Sequence, residues 1–308
     1  MTENLPAADI DVCICTFRRP HLAATLASVA RQNLDPAQKI RVIVADNDDH
    51  PAARATVADA AQRHALQCTY VHAPARNISI ARNACLALAT APLIAFIDDD
   101  ERASPHWLAA LTEALEKTGA DAALGPVRAV YRPESPAWLK EGDFHSSLPV
   151  WKNGKIVSGG AGNVLLRRGS APELRFREDL GRCGGEDTAY FHEFVGAGGR
   201  IVFAGGALVT ENVPEERERF LWLLRRRFRF GQTHGLLLLE AAPDASMRVK
   251  NAALAAAKAA FCLSLSLLNF SRGRAVRFWT LRGALHAGAA SRLMARKRKE
   301  ETCPPIFP

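Results

Sequence analysis

An α/β fold with a mostly parallel central sheet is predicted by three features of the sequence. Short β-branched or apolar runs alternate with helix-period segments through the first hundred residues, the runs are apolar almost without a break, and polar residues gather directly after them. A strand covered on both faces reads as an unbroken apolar run, and consecutive parallel strands need a crossover that a helix supplies. With 308 residues, 48% hydrophobic and 23% charged, the chain has room for one large domain with an appendage or for two modest ones. That composition excludes disordered, collagenous and coiled-coil classes.

The elements follow in order. Ile10 to Thr16 is β-branched, His21 to Gln32 has helical spacing through Leu22, Leu26 and Val29, and Ile40 to Ala45 is apolar, which makes one βαβ unit. The pattern repeats with a helix from about Ala52 to His64, a strand at Cys68 to Val71, a helix from Ser79 to Ala89 and a strand at Leu93 to Ile97. A helix then runs from Pro105 to about Thr118, and Ala122 to Tyr131 reads as one further strand. Residues 132–156, rich in Pro, Trp and Gly, read as an excursion with turns. A strand near Asn163 to Arg167, a glycine-rich stretch, a helix from Thr188 to Val195 and a strand at Arg200 to Phe203 follow. Glu215 to Leu239 looks helical, and the last part is two apolar segments separated by Ser271, Arg272 and Gly273.

Seven cysteines without periodic spacing form no disulfide framework, so a reducing, cytoplasmic setting is expected. Cys13 and Cys15 point to one face of a buried strand and read as packing rather than as a metal or redox site. Met1 to Pro6 carries Glu3 and no apolar stretch, so no secretory signal is expected.

Charge is unevenly placed. Residues 1–214 hold 22 Lys/Arg against 25 Asp/Glu, whereas residues 215–308 hold 18 against 7, and the whole chain carries +8. The basic character belongs to the tail, which argues for an anionic partner surface. Ala259 to Ser271 is a charge-free run of 13 residues, shorter than the roughly 17–25 that cross a bilayer as a helix. An interfacial or re-entrant helix is expected there. On the next segment, at about 100° per residue, Arg274, Arg277, Arg282, Arg292 and Arg296 share an arc with Phe278, Leu281 and Leu285, opposite Gly283, Ala287 and Ala290. The small face would pack on the preceding helix while the arginines snorkel to anionic headgroups, and the cluster Arg296 to Lys299 adds attraction. A soluble helical hairpin covering the core is the alternative.

Polar groups at the carboxyl ends of parallel strands surround the crevice where ligands bind in such sheets. Here they are Thr16, Asp46 and the run Asp98, Asp99, Asp100. Adjacent carboxylates repel one another, and a divalent cation with hard oxygen ligands relieves that cost. Capping of the helix near Pro105 by Asp100 to Ser104 needs only one short polar residue and does not explain three.

Together with Arg82 and the Glu186–Asp187 pair, these residues complete a recognisable order. The stretches VCICTFRRPHLAATLASVAR (Val12 to Arg31), VIVADN (Val42 to Asn47), NISIARN (Asn77 to Asn83), LIAFIDDDERASPHWL (Leu93 to Leu108) and GGEDTAYF (Gly184 to Phe191) resemble the family 2 glycosyltransferases. These are inverting enzymes with the nucleotide-binding GT-A fold. The likeness covers roughly residues 9–235, and the tail is similar to that of bacterial exopolysaccharide glycosyltransferases acting on lipid-linked oligosaccharides. The implied organisation is a GT-A domain over 1–235 and a basic amphipathic helical tail over 236–308.

The resemblance implies roles. Departure of a nucleoside diphosphate develops negative charge that a divalent ion, Mn or Mg, and Arg82 would balance. Asp100 would be the metal ligand, Asp99 would bind ribose or support the metal, and Asp98 completes the DxD pattern. Thr16, Arg18 and Asp46 would hold the nucleotide sugar. Many relatives carry a second acid where this chain has Asn47, which leaves the nucleobase, expected to be uracil, less constrained. Asp187 matches the base that takes the acceptor's proton, with Glu186 behind it or against the acceptor. Asp187 equally suits the N-cap of the following helix. Asn163 either lines the acceptor site or serves a turn. Arg225 to Arg229 would sit near a phosphate or form a solvated helix face. No His is expected as a ligand, and Glu211 reads as a loop residue that would otherwise lend an oxygen.

The expected activity is transfer of a sugar from a nucleotide sugar to a lipid-linked saccharide, at the inner face of the cell membrane, with peripheral contact to anionic lipid. A nucleotidyltransferase would need a Gly-rich phosphate loop after the first strand, and a dinucleotide dehydrogenase would need G-x-G-x-x-G there. Thr16 to Pro20 contains no glycine. A non-enzymatic membrane adaptor is the remaining alternative. Phe220, Trp222, Phe228 and Phe230 interleave with arginines, but no nucleic-acid motif accompanies them, so no nucleic acid is expected.

Overall fold

The computed structural model describes residues 8–170 and 174–295; Met1–Pro6 and the cluster Arg296–Lys299 lie outside them. The chain divides into two compact units. Among the described residues, one holds 8–130 together with 146–170 and 174–212, and the other holds 131–145 with 213–295.

In the first unit, β1 (Ile10–Thr16), α1 (Leu22–Ala30), β2 (Ile40–Asp46), α2 (Arg54–His64), β3 (Gln67–His72), α3 (Ile78–Leu88) and β4 (Leu93–Ile97) alternate as the apolar pattern requires. The chain continues through β5 (Glu101–Ala103), α4 (Trp107–Thr118), β6 (Ala122–Leu124) and β7 (Val127–Val130). After α5 (Ala137–Gly142) in the second unit come β8 (Val150–Lys152), β9 (Lys155–Ser158), β10 (Asn163–Arg167), α6 (Glu186–Gly196), β11 (Ile201–Phe203) and β12 (Val209–Asn212).

Seven strands form the main sheet in the order β11-β6-β10-β4-β1-β2-β3, and only β10 runs against the rest. Its two faces carry separate cores. Ile14, Leu26, Val44 and Trp107 lie on one side, and Cys13, Cys85, Phe96 and Phe191 on the other. Cys13 and Cys15 share the second face, as period-two geometry demands. Cys85 of α3 packs beside them, and burial holds the Cys15 thiol well above its ordinary pKa.

One expectation is corrected here. The single strand over Ala122–Tyr131 is two, because Gly125–Pro126 breaks the ladder: β6 stays in the main sheet, while β7 joins β12 and β5 in a second, three-stranded sheet. A proline supplies no N–H to a ladder. The segment after Asp100 is β5 and His106 occupies the N-cap position of α4, so the capping alternative for Asp100 to Ser104 does not hold.

The second unit is helical: α5, a 3₁₀ turn at Glu215–Glu218, α7 (Phe220–Glu240), α8 (Ala245–Leu268) and α9 (Gly273–Met294). Helix α9 lies against both α7 and α8. Close approach is set by glycine. A Cβ on Gly231 of α7 would run into the Leu285 carbonyl, and one on Gly288 of α9 into the Phe228 carbonyl. Leu281, placed by its angular position on the outward arc, instead packs with Leu139 and Leu223 at 2% exposure, while Phe278 remains exposed. Most of the charge-free run falls in α8, which begins well before it at Ala245 and ends at Leu268; this helix of 24 residues is long and apolar enough by length and composition to cross a membrane.

Helix propensity alone makes Gly288→Ala stabilising by about 1 kcal/mol. Backbone contact reverses that sign, since overpacking costs about 1–3 kcal/mol. Gly288→Ala is therefore expected to unfold at lower urea than the wild type, with reduced helical signal at a given denaturant concentration.

Candidate active site

The main sheet reverses its winding between β1 and β4, so the carboxyl ends of these neighbours open the crevice typical of doubly wound sheets. Thr16 ends β1 and Asp98 follows β4. The Phe17 amide, next to Thr16, donates to Asp99 Oδ2 at 3.4 Å, which ties the two strand ends together.

Negative charge accumulates at this point. Asp98, Asp99, Asp100, Glu101, Glu186 and Asp187 act on one another electrostatically through a shared neighbourhood. Burial pushes Asp99 up to about 7, with Thr16 and Arg19 pulling down and Asp100 pushing up. Glu101 is buried at 3% exposure and held well above the carboxylate range, first by burial and then by Asp98. Its Oε2 accepts from the Asp98 amide at 2.9 Å. Gly162 makes room for this pair, since a Cβ there would meet Glu101 Oε1 at 2.6 Å and Asp98 Oδ2 at 2.9 Å.

Arg82 of α3 is the balancing cation. It is 5% exposed, donates from one amino group to Glu186 Oε1 at 2.6 Å and from the other to Asp98 Oδ1 at 3.3 Å, and lies over the Phe176 ring. Burial alone would lower its pKa, but Glu186, Asp98 and Asp187 hold it above the usual arginine value. Arg19 adds a weaker pull, 3.7 Å from Asp100 and 3.9 Å from Asp99.

Asp187 lies in the first turn of α6 and does not cap it. Gly185 is the N-cap residue, at φ +97°, a left-handed conformation that glycine adopts without a Cβ clash. Asp187 Oδ1 accepts from the Thr188 amide at 2.6 Å, which fixes the carboxylate, while Oδ2 faces the Gly-rich loop, 3.6 Å from the position of a Cβ on Gly160. Burial raises Glu186 to about 7, with Asp187 adding to that shift and Arg82 opposing it. Its Oε2 is buried without a hydrogen-bond partner.

Asp46, Arg18 and Asn163, also expected at the site, make hydrogen bonds within the protein. Asp46 is 1% exposed, and its carboxylate accepts from the Ala53 amide and the Tyr70 hydroxyl, both at 2.8 Å, and from the Asp48 amide at 3.1 Å. Arg18, in the loop after β1 at φ +53°, makes a two-pronged pair with Asp48 at 2.7 and 2.9 Å. Asn163 is neither in a turn nor open to a ligand: at 2% exposure it starts β10, accepts from Trp107 Nε1 and donates to the Pro126 and Ala207 carbonyls. Glu211 is in strand β12, directly across from Glu101, rather than in a loop. Sequence reasoning missed Glu101, Arg19 and Asp48. Each sits within three residues of a site residue that was identified, so proximity to the strand ends was the available signal.

Among the described residues no group of three or more His, Cys, Asp or Glu is arranged as a ready metal cage. The donor set is one of hard oxygens beside a charge excess. That suits an ion such as Mg2+, which takes one or two protein carboxylates and completes its shell with substrate phosphates and water.

A doubly wound sheet with an acidic cluster at its switch point and a fixed carboxylate nearby fits the expected transferases of GT-A type. The Glycosyl transferase family 2 model matches residues 11–175, and the chain belongs to that family. Over 295 residues, 95% of each chain, it is 50% identical to the succinoglycan biosynthesis protein ExoM of Rhizobium meliloti (strain 1021). Among solved structures, the mannosyltransferase PcManGT from Pyrobaculum calidifontis, in complex with GDP-Man and Mn2+, superposes with a TM-score of 0.65 at 19% identity, covering 94% of this chain and 88% of that one. S. aureus TarS 1-349 in complex with UDP-GlcNAc does so at 0.53 and 13%, covering 92% and 90%. At such identities the likeness establishes a shared fold, and this protein is a GT-A glycosyltransferase.

The Glu186 shift has a consequence for stability. Its folded pKa of about 7 lies above the ordinary 4.5. Between those values the folded chain holds more protons than the unfolded one, so stability falls as pH rises through that window and levels off above it. Glu186→Gln removes this contribution. Across pH of about 5 to 8 the variant is expected to gain about 2–3 kcal/mol relative to wild type in urea unfolding, and parallel pH profiles would contradict the assignment.

Proposed function

We propose that this glycosyltransferase acts with inversion, moving a sugar from a nucleoside-diphosphate donor, UDP-linked, to a hydroxyl of a lipid-linked saccharide during exopolysaccharide synthesis. The observation that carries this reading is the gathering of Asp98, Asp100, Arg82 and Asp187 at one strand end. The extensive identity with a succinoglycan biosynthesis protein supports the polysaccharide setting.

Asp100, with Asp98 beside it, would hold a divalent cation, Mn2+ or Mg2+. When bound, the cation offsets the charge that grows on the leaving diphosphate. Asp99 and Thr16 form the wall under the ribose. Asp46 shapes the base-binding loop through its bonds to Ala53 and Tyr70 rather than by direct contact, and Arg18 with Asp48 closes the rim. The presence of a UDP sugar in one structural neighbour and a guanine nucleotide sugar in another is compatible with a base pocket defined by such loops. Arg82 keeps Glu186 and Asp98 in place and sets the local potential against which the diphosphate departs. Asp187 Oδ2, on the side left open by Gly160, accepts the proton of the attacking hydroxyl as the new bond forms at the anomeric carbon and the bond to the diphosphate breaks. Glu186 positions that base through Arg82.

The helical unit suits peripheral association with the cytoplasmic face of an anionic membrane. Helix α8 is amphipathic in an inverted sense. Its small residues Ala252, Ala255, Cys262 and Ser266 are buried, whereas Leu254, Phe261, Leu263, Leu267 and Leu268 are 52–77% exposed. Small residues at helix contacts and large apolar ones outside are the arrangement expected against lipid.

Asp187→Asn is expected to lower transfer by about 10²–10⁴-fold while leaving donor binding intact. Asp100→Ala is expected to abolish the strengthening of UDP binding by Mn2+ in calorimetric titration. If Asp187→Asn retained full transfer, or if UDP binding ignored the metal in the wild type, these roles would be wrong.

A further inference from the structure

One crevice in the helical unit is left unexplained by the transfer reaction. It is lined by Gly142 and Phe144 at the end of α5 and by Arg272, Arg274, Phe278 and Trp279 at the start of α9. Its walls are aromatic and its rim is cationic. Phe144 packs against Trp138, and Phe278 against Trp279. Gly142 leaves the room that the Phe144 ring fills, since a Cβ there would overlap it. Arg277, one turn further on, is already committed to stacking over Trp138 at 4.9 Å, so Arg272 and Arg274 are the cations that face this opening.

The surroundings specify what fits. No Asp or Glu occurs from Ala245 to Ala295, so neither helix of the hairpin supplies a counter-charge to the two arginines. Asp143, beside the crevice, accepts from the Tyr131 hydroxyl. Immediately before Arg272 stand the most exposed large apolar side chains of the unit, Leu268 at 77% and Phe270 at 83%, with Phe278 at 45% on the following turn. A ligand here must offer anionic oxygens to a guanidinium pair within a few residues of a surface that calls for hydrocarbon.

We infer that this crevice binds the phosphate of an anionic phospholipid, with the α8–α9 corner dipping into the acyl layer beside it. The inference rests on the membrane reading above and sharpens it: insertion is apolar and local to the corner, and headgroup preference comes from Arg272 and Arg274 rather than from the diffuse positive charge of the tail. A phosphate held by two arginines at the crevice sits at the depth where Leu268 and Phe270 pass from water into lipid. The corner would thus fix which edge of the helical unit meets the bilayer.

The test uses the purified full chain and vesicles of phosphatidylcholine alone or with phosphatidylglycerol. At about 1 kcal/mol for each basic residue near an anionic surface, Arg272→Gln/Arg274→Gln is expected to cut partitioning onto phosphatidylglycerol vesicles about thirty-fold and to lower partitioning onto phosphatidylcholine, whose ammonium offsets its phosphate, several-fold less. Arg248→Gln/Lys250→Gln removes the same charge near the other end of α8, roughly 30 Å away by helix rise, and is expected to change it less than about three-fold. An equal loss in both variants means diffuse electrostatics, and no loss in the first means an unused crevice; either overturns the inference. Dihexanoylphosphatidylglycerol below its micelle concentration, followed by tryptophan fluorescence, separates the two readings. Binding of this soluble lipid by a chain that ignores vesicles would sink the membrane reading and keep the site, whereas binding of neither would sink both. Inorganic phosphate competing as well as the lipid would make this a free-anion site and overturn the lipid assignment.

Discussion

The first unit depends on how it tolerates carboxylates crowded at the end of β4. Like charges a few ångströms apart in a poorly solvated place raise one another's pKa and destabilise the fold. The opposing element is Arg82, held by Glu186 on one side and Asp98 on the other while its guanidinium lies over Phe176. Phe176 in turn stacks on Tyr190 of α6 with centroids 4.4 Å apart. One cation therefore fastens α3, the segment before α6 and the end of β4 to each other. A protein that only needed stability would not keep this arrangement, because replacing buried ion pairs by apolar groups is often neutral or better. The proposed site, receiving a cation and a polyanion in turn, would need it, since the excess carboxylate would attract the metal while the fixed arginine offsets part of the charge.

The frame around the cluster is made of side chains whose hydrogen bonds are spent internally. Asn163 joins α4 to the carbonyls of Pro126 and Ala207 and so ties the main sheet to the approach of the small one. Asp46 fastens the loop after β2 to β3 through Tyr70. These residues sit at strand ends, where ligand-binding groups are also found, and their task follows from what already surrounds them. A carboxylate with three donors in place has little left to offer a substrate. Asp187 differs in that one oxygen is anchored and the other faces the glycine loop.

The helical unit solves a different problem. Its glycines bring backbones together, its small side chains fill the contacts, and its large apolar side chains stay outside. In water this ordering forfeits burial worth about 25 cal/mol per Å², which is the cost that the proposed lipid contact would offset. Position and charge agree, because the exposed apolar residues culminate at the α8–α9 corner, where Arg272 and Arg274 flank the crevice.

Local order was readable from the linear chain. The apolar runs placed β1, β4 and β10 to the residue, and the polar groups following them marked the crevice, because strand burial and strand-end chemistry are recorded in neighbouring letters. Where a break depends on one residue, as at Gly125–Pro126, the run Ala122–Tyr131 looked continuous and the division between two sheets stayed hidden. The length of α8 was hidden for a related reason: counting only uncharged letters stopped the run at Lys258, whereas backbone helicity passes through it. Asn163, Asp46 and Glu101 show the general limit. Residue type and spacing determined that these side chains would lie at the functional end of the sheet. Which internal partners they meet was decided by the folded chain, which brings Trp107, Tyr70 and the Asp98 backbone within hydrogen-bonding distance. A hydrogen bond depends on separations in space, and no local pattern encodes them.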